Sequence, residues 1–166
     1  MKINFGCGDK KYEGYINVDA VGEPDVKCDL SHFPWPFDAD SAEEVLSEHF
    51  LEHVIDFEKT ILEMHRILKP GGILHFKVPH FRNYMYPWYL HHYQFSTKTC
   101  ELLCEKIPYQ FGGRRLFERV ALRLNYPWAG PGFKQLYTFF ANLSPSRWDY
   151  HGLTIDEIEF WARKIK

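Results

Sequence analysis

At 166 residues with a net charge of −2, the chain fits one domain with a real core and is too short for two of ordinary size. Charge is near balance and no basic block is present, so the electrostatic footprint of a nucleic-acid-binding protein is missing. Aromatic residues make up 17% and concentrate after residue 80, which points to a pocket or partner surface as well as a core.

The start of the chain has no apolar run long enough for a signal peptide, and no later stretch approaches a membrane span. A cytoplasmic protein is expected, with Cys7, Cys28, Cys100 and Cys104 reduced. Cys100 and Cys104, four apart on a predicted helix, read as small buried residues, because two thiols without a second pair or a nearby His make a poor zinc site.

In chain order, Lys2-Ile3-Asn4-Phe5 reads as a strand that stops in Gly6-Cys7-Gly8-Asp9. Two near-adjacent glycines let a small ligand approach bare backbone, because no Cβ blocks it. A second strand, Tyr15-Ile16-Asn17-Val18, ends in Asp19, an acid placed to accept hydrogen bonds from a ribose diol. A third covers 25–28 and ends at Asp29. Two prolines keep Ser31–Phe37 from being a regular helix or central strand. Glu43–Ser47 is the next strand.

The clearest helix spans Asp56 to Leu68, with Asp56 as N-cap and Phe57, Ile61, Met64 and Leu68 on one apolar stripe. Pro70-Gly71-Gly72 is expected to stop it, and Ile73–Val78 resumes a strand. A helix is predicted from Ser96 to about Lys106, and Phe117–Leu124 and Glu157–Arg163 as two final strands pairing antiparallel at the sheet edge. Between them, Phe133, Leu136, Tyr137, Phe140 and Leu143 form one face, most simply a core or subunit contact. Strands alternating with helix-period runs argue for a mostly parallel sheet covered on its faces.

This order of motifs resembles the class I S-adenosylmethionine-dependent methyltransferases, and more narrowly their small, shortened members often associated with sugar modification. The resemblance covers roughly residues 2–80. Ile3–Gly8 resembles the glycine loop under the methionine part of the cofactor, Val18-Asp19 the acid that holds the ribose, and Cys28-Asp29-Leu30 the step that reads the adenine amino group. Phe33–Phe37, Glu44–Ser47, Leu51–Val54 and Met64–Gly72 continue the family order.

The resemblance implies a Rossmann-like, mostly parallel α/β sheet with helices on both faces, the first helix shortened or missing, and antiparallel edge strands at the C-terminus. It implies S-adenosylmethionine as cofactor, held by Gly6, Cys7, Gly8, Asp19, Asp29, Leu30, Ser47 and His49. The acceptor is a small molecule or glycan. One departure stands out: only ten residues separate Gly8 from Asp19, too few for the usual helix with its loops, so helix N-terminal stabilisation of the ligand is weak or absent.

After Pro79 the aromatic segment reads either as packing or a homodimer contact, or as an acceptor-side lid over 79–95, with 127–150 as a peripheral insertion in one 1–166 domain. In the lid reading Tyr84, Trp88, Tyr89 and His92 bind the acceptor, and His80 and His92 are the base candidates, since a neutral imidazole takes a proton near pH 7. His49-Phe50-Leu51-Glu52-His53 also fits His-x-x-Glu-His, the zinc-hydrolase pattern, but it follows a predicted strand where the pattern needs a long helix, so no metal is expected. The rival to a methyltransferase is a binding or partner subunit of the same fold without catalysis.

Overall fold

The computed structural model describes residues 1–83, 89–125, 131–149 and 155–166, with the backbone alone at 131–134. Seven strands form one sheet: β1 (Lys2–Phe5), β2 (Ile16–Asp19), β3 (Val26–Lys27), β4 (Ala42–Glu48), β5 (Leu68–Pro79), β6 (Phe117–Asn125) and β7 (Glu157–Lys164), in the order β3-β2-β1-β4-β5-β7-β6. The first five run parallel, and β7 enters antiparallel between β5 and β6. This is the Rossmann-like sheet with antiparallel edge strands that the motif order implies. Ile3, Asn4 and Phe5 are buried in succession, as a central parallel strand covered on both faces requires.

Four helices accompany the sheet: α1 (Phe57–Ile67), α2 (Thr97–Leu102), α3 (Pro131–Leu143) and α4 (Pro145–Trp148). Asp56 caps α1 as expected, its side chain accepting the Lys59 N–H at 3.0 Å. Ile61, Met64 and Ile67 are fully buried. Among the described residues no helix is long and apolar enough to cross a membrane, and all four cysteines are free thiols.

Two boundaries differ from expectation. β5 starts at Leu68, directly after α1, so Pro70-Gly71-Gly72 lies inside the strand. Leu68 pairs with Ala42, and the register shifts before Ile73 pairs with Glu44. Gly71 holds φ 80°, and a Cβ on Gly72 would stand 2.9 Å from the Lys69 carbonyl oxygen, so the pair turns the chain without ending its pairing. α2 starts on a Ser96–Thr99 capping box but ends at Leu102, after which the chain carries Phe111 into the core. There the Phe111 N–H donates to Glu58 at 2.9 Å. On α3, Leu136, Phe140 and Leu143 of the predicted apolar face are exposed, while Tyr137 packs against the core and Ala141 is buried.

Residues 6–15 cross from β1 to β2 without a helix. Hydrogen bonds replace it. Asn4 donates to the Lys10 carbonyl and to Asn17, and the Asn17 side chain in turn accepts the Tyr12 N–H at 2.9 Å. At the end of β4 the Glu48 carboxylate takes the Tyr12 hydroxyl at 2.9 Å, the Lys77 ammonium at 2.6 Å and the Lys10 ammonium. The proline loop is pinned likewise. Trp35, buried against Phe5 with ring centroids 4.3 Å apart, donates its N–H to Glu63, while Arg66 donates to the Trp35 and Phe37 carbonyls. Those α1 side chains satisfy backbone groups that neither strand nor helix pairs.

Burial opposes ionisation of Glu48, but the hydrogen bonds from Lys10, Lys77 and Tyr12 outweigh it and hold the carboxyl down to about 2. A depressed carboxyl stabilises the fold above its ordinary value of 4.5, and that contribution is lost as pH falls from there toward 2. Glu48→Gln is therefore expected to cost about 1–3 kcal/mol at pH 7. Urea titrations of both proteins should show the gap narrowing as pH falls below the ordinary carboxyl range. A gap that stays constant with pH contradicts this account.

Candidate functional site

In a parallel sheet, ligands gather beyond the carboxyl ends of the strands. A cavity of about 640 Å³ lies there, within the usual range for small-molecule sites. Asp19 and Ala20 at the end of β2, and Asp29 to Phe33 after β3, form one wall. Phe50, His53, Val54 and Ile55 after β4 form another, and Asp56, Lys59 and Thr60 of the α1 N-terminus complete it.

Of the residues assigned to the cofactor from sequence, Asp19, Asp29 and Leu30 line this cavity together. Asp19 accepts the Gly8 N–H at 2.8 Å on one oxygen and the Val21 N–H at 3.0 Å on the other. A carboxylate has about four acceptor positions, so capacity for a diol is left. Asp29 closes a local turn, accepting the Ser31 N–H and hydroxyl on one oxygen and facing His32 Nδ1 at 2.9 Å with the other. The Ser31 and His32 contacts lower its carboxyl below the ordinary range.

Gly6, Cys7, Gly8, Ser47 and His49 stand outside that lining. Gly6 and Cys7 both donate their N–H to the Val18 carbonyl, at 2.9 and 3.2 Å. A Cβ on Gly6 would meet the Phe50 ring at 2.4 Å, so Phe50 covers the glycine turn directly. Ser47 is fully buried in β4, its hydroxyl without a hydrogen-bond partner.

His49, with φ 51°, sits between two acids: Nε2 is 3.0 Å from Glu157 and Nδ1 3.4 Å from Glu52. Hydrogen bonds to Glu157 and Glu52 raise its imidazole to about 9, so it is a cation at neutral pH. The His-x-x-Glu-His run follows β4 as a turn, with no helix, so the zinc-hydrolase arrangement of that pattern does not form.

The base candidates separate. His80 is fully buried and both ring nitrogens are committed: Nδ1 accepts the Arg82 N–H, and Nε2 faces Asp149 at 3.0 Å. Asp149 also accepts the Thr97 N–H and hydroxyl. Burial opposes the Asp149 charge, but the His80 and Thr97 hydrogen bonds keep its carboxyl low. This network ties the end of β5 to α2 and α4, and it commits both ring nitrogens of His80 to partners within the fold. His92 is exposed, and its backbone N–H donates to the Glu52 carbonyl at 2.7 Å.

The segment carrying His92 leaves and returns at one point, because Phe81 N–H donates to the Phe95 carbonyl at 2.8 Å and His80 bridges Phe95. Tyr89 is 83% exposed. Tyr84 and Trp88 lie outside the described residues. Sequence reasoning did not assign Phe50, His53, Lys59 or Thr60 to the site. Their signal was positional: the first two follow a parallel strand and the last two open the next helix.

Gly6 and Gly8 both hold positive φ, 68° and 50°, but only Gly6 is crowded. Gly8→Ala is expected to cost about 1–2 kcal/mol from the left-handed backbone alone. Gly6→Ala adds the clash and should cost about 2–5 kcal/mol, part of it recovered in Gly6→Ala with Phe50→Ala. Chemical denaturation of the four proteins measures this. Equal costs at the two glycines would mean that Phe50 does not press on the turn.

Comparison with known proteins agrees with this fold. Residues 5–76 match the family model of a methyltransferase domain. No curated protein sequence matches the chain. Among solved structures, an S-adenosylmethionine-dependent methyltransferase from Archaeoglobus fulgidus superposes with a TM-score of 0.61 at 15% identity, over 98% of this chain and 85% of that one. One from Methanosarcina mazei gives 0.60 at 16% identity, over 99% and 92%. Phosphoethanolamine N-methyltransferase 2 of Haemonchus contortus, solved with S-adenosyl-L-methionine, gives 0.58 at 17% identity over 99% of this chain and 48% of that one. At such identities the likeness establishes the fold: residues 5–76 match a methyltransferase domain, and the chain as a whole is built on the fold of S-adenosylmethionine-dependent methyltransferases.

Proposed function

We propose that the protein transfers a methyl group from S-adenosylmethionine to a small-molecule or glycan-type acceptor. The observation that carries this reading is the convergence of Asp19, Asp29 and Leu30 on one cavity at the carboxyl ends of the parallel strands. Bound there, the cofactor supplies an activated methyl on a cationic sulfonium. Asp19 accepts the ribose hydroxyls on acceptor positions that the Gly8 and Val21 amides leave open. Asp29 and Leu30 hold the base, and the apolar faces of Phe33, Phe50 and Val54 enclose it.

Methyl transfer is a direct displacement, so alignment and exclusion of water are the protein's main tasks. The 79–95 segment is suited to both as an acceptor-side lid, because it leaves the sheet at the end of β5 and is closed on itself at Phe81 and Phe95. His92 is the base candidate that solvent and acceptor can both reach. Tyr84, Trp88 and Tyr89 supply flat faces for a sugar ring or other flat group.

A second reading, a binding subunit without catalysis, draws support from three contacts. Asp29 is engaged by Ser31 and His32, Asp19 by Gly8 and Val21, and Gly6 by Phe50. Calorimetry with S-adenosylmethionine and S-adenosylhomocysteine separates the two readings when paired with a transfer assay on screened acceptors. Binding without transfer to any of them favours the subunit.

Asp19→Ala, folded by its thermal transition, is expected to weaken cofactor binding by about 1.5–3 kcal/mol, the range for lost charged hydrogen bonds. Unchanged affinity removes Asp19 from the ribose. His92→Ala and Trp88→Ala are expected to lower turnover or acceptor binding while cofactor affinity stays within a few-fold. Parent-rate transfer by both folded variants would make the segment packing or interface.

A further inference from the structure

The turn after β4 and the returning arm of the 79–95 segment meet in a group that the methyl-transfer reading does not use. Glu52 is 1% exposed. One of its carboxylate oxygens stands 4.0 Å from His53 Nε2, and the other is buried with no hydrogen-bond partner. A buried carboxylate oxygen without a partner is costly, and the His49 imidazolium meets only the other oxygen of Glu52, which leaves this one open to a cation.

Two imidazoles face it. His53 Nδ1 lies 3.1 Å from the Leu90 carbonyl oxygen. A carbonyl only accepts, so Nδ1 carries the proton and Nε2, on the Glu52 side, is the nitrogen with a lone pair in the neutral ring. An imidazole whose other nitrogen donates to a backbone carbonyl is set up as a metal ligand. His91 packs edge-on against His53, with ring centroids 4.8 Å apart.

The Glu52 carbonyl accepts the His92 N–H at 2.7 Å and the Tyr93 N–H at 3.4 Å, which fixes the two arms against each other beside these side chains. One ligand atom from each of Glu52, His53 and His91 falls within 4.8 Å of the other two. Tetrahedral ligands at zinc distances lie roughly 3.4 Å apart, so closing on an ion takes a contraction of about an ångström. His49 Nδ1 meets the same Glu52 oxygen that His53 Nε2 approaches, at 3.4 Å, and its Nε2 is anchored to Glu157, so it orients the carboxylate rather than joining the set.

We propose that Glu52, His53 and His91 form a binding site for a first-row divalent cation of the zinc class. Two neutral imidazoles and one carboxylate suit zinc, cobalt or iron better than magnesium or calcium, which take oxygen donors. Three protein ligands leave a coordination position for water or for an oxygen of a bound molecule. His53 lines the main cavity, so the ion would stand at its rim. The sequence pattern His49-x-x-Glu52-His53 supplies two of these ligands, but the third comes from His91, and His49 is not one of them. The site is independent of the methyl-transfer reading.

The test uses the full-length protein, free of any affinity tag and stripped with chelator, titrated with Co2+ alone and then with Zn2+. The expected result is one Co2+ per chain with the visible bands of a low-coordinate site, displaced by one equivalent of Zn2+. His91→Ala and His53→Ala should weaken binding by at least about 100-fold, at or beyond the range for outer-shell changes. Glu52→Gln should do the same if it folds. His32→Ala, a cavity imidazole outside the group, should bind like the parent. Absence of a 1:1 Co2+ complex in the parent protein overturns the proposal, and so does equal affinity in parent, His53→Ala and His91→Ala.

Discussion

Everything at the ligand-binding end of this molecule depends on a connection of ten residues between β1 and β2. A parallel crossover ordinarily needs a dozen residues or more, most often with a helix to carry the chain back. Without that helix, the backbone of residues 6–15 has no ladder of its own and must be paired piecemeal. Asn4 and Asn17 do this from within the strands, Asp19 from the end of β2, and Glu48 from the end of β4. The cost is side chains: two strand-end positions, Asp19 and Glu48, are partly spent on holding a loop.

The face of the sheet near β1 is closed by another substitution of loop for helix. Phe33, Trp35 and Phe37 supply the apolar cover, with Trp35 wedged on Phe5 and stacked on Phe33. Pro34 and Pro36 remove donors that would otherwise need partners, and Glu63 with Arg66 on α1 pairs what is left. α1 therefore does two jobs. Its apolar stripe covers the sheet, and its polar edge serves as the hydrogen-bonding frame of a loop that could not fold alone. The first helix of the chain comes only after four strands.

Much of this was legible in the sequence because short-range physics wrote it. Asp56 before an apolar stripe of helical period announced α1, and the helix expected from Ser96 appears as α2 with Ser96 as its N-cap. The short Gly8–Asp19 interval announced the missing helix. The start of β5 was not legible, since Pro-Gly-Gly reads as a stop unless one knows that Ala42 waits to pair with Leu68. The α3 face stayed open between core and subunit contact for a related reason: periodicity finds an apolar stripe but not what covers it. At the site, Asp19, Asp29 and Leu30 followed from strand ends, whereas burial of His80 depended on Asp149, 69 residues away. The meeting of Glu52 with His91 depended on how a long segment returns.

Asp19 shows how a shortened fold reconciles these demands. Its two oxygens hold the Gly8 and Val21 amides at 2.8 and 3.0 Å, so the carboxylate is oriented before any ligand arrives and loses little freedom on binding one. Pre-organisation of that kind offsets part of what is forfeited with the missing helix, whose N-terminal amides would have supplied a fixed partial charge. The same economy makes the site brittle. In the proposed reading one side chain closes the glycine turn and meets the ligand, which couples loop order to ligand affinity. A change at Gly8, itself outside the cavity lining, would in that reading reach the ligand through the acid that its amide holds in place.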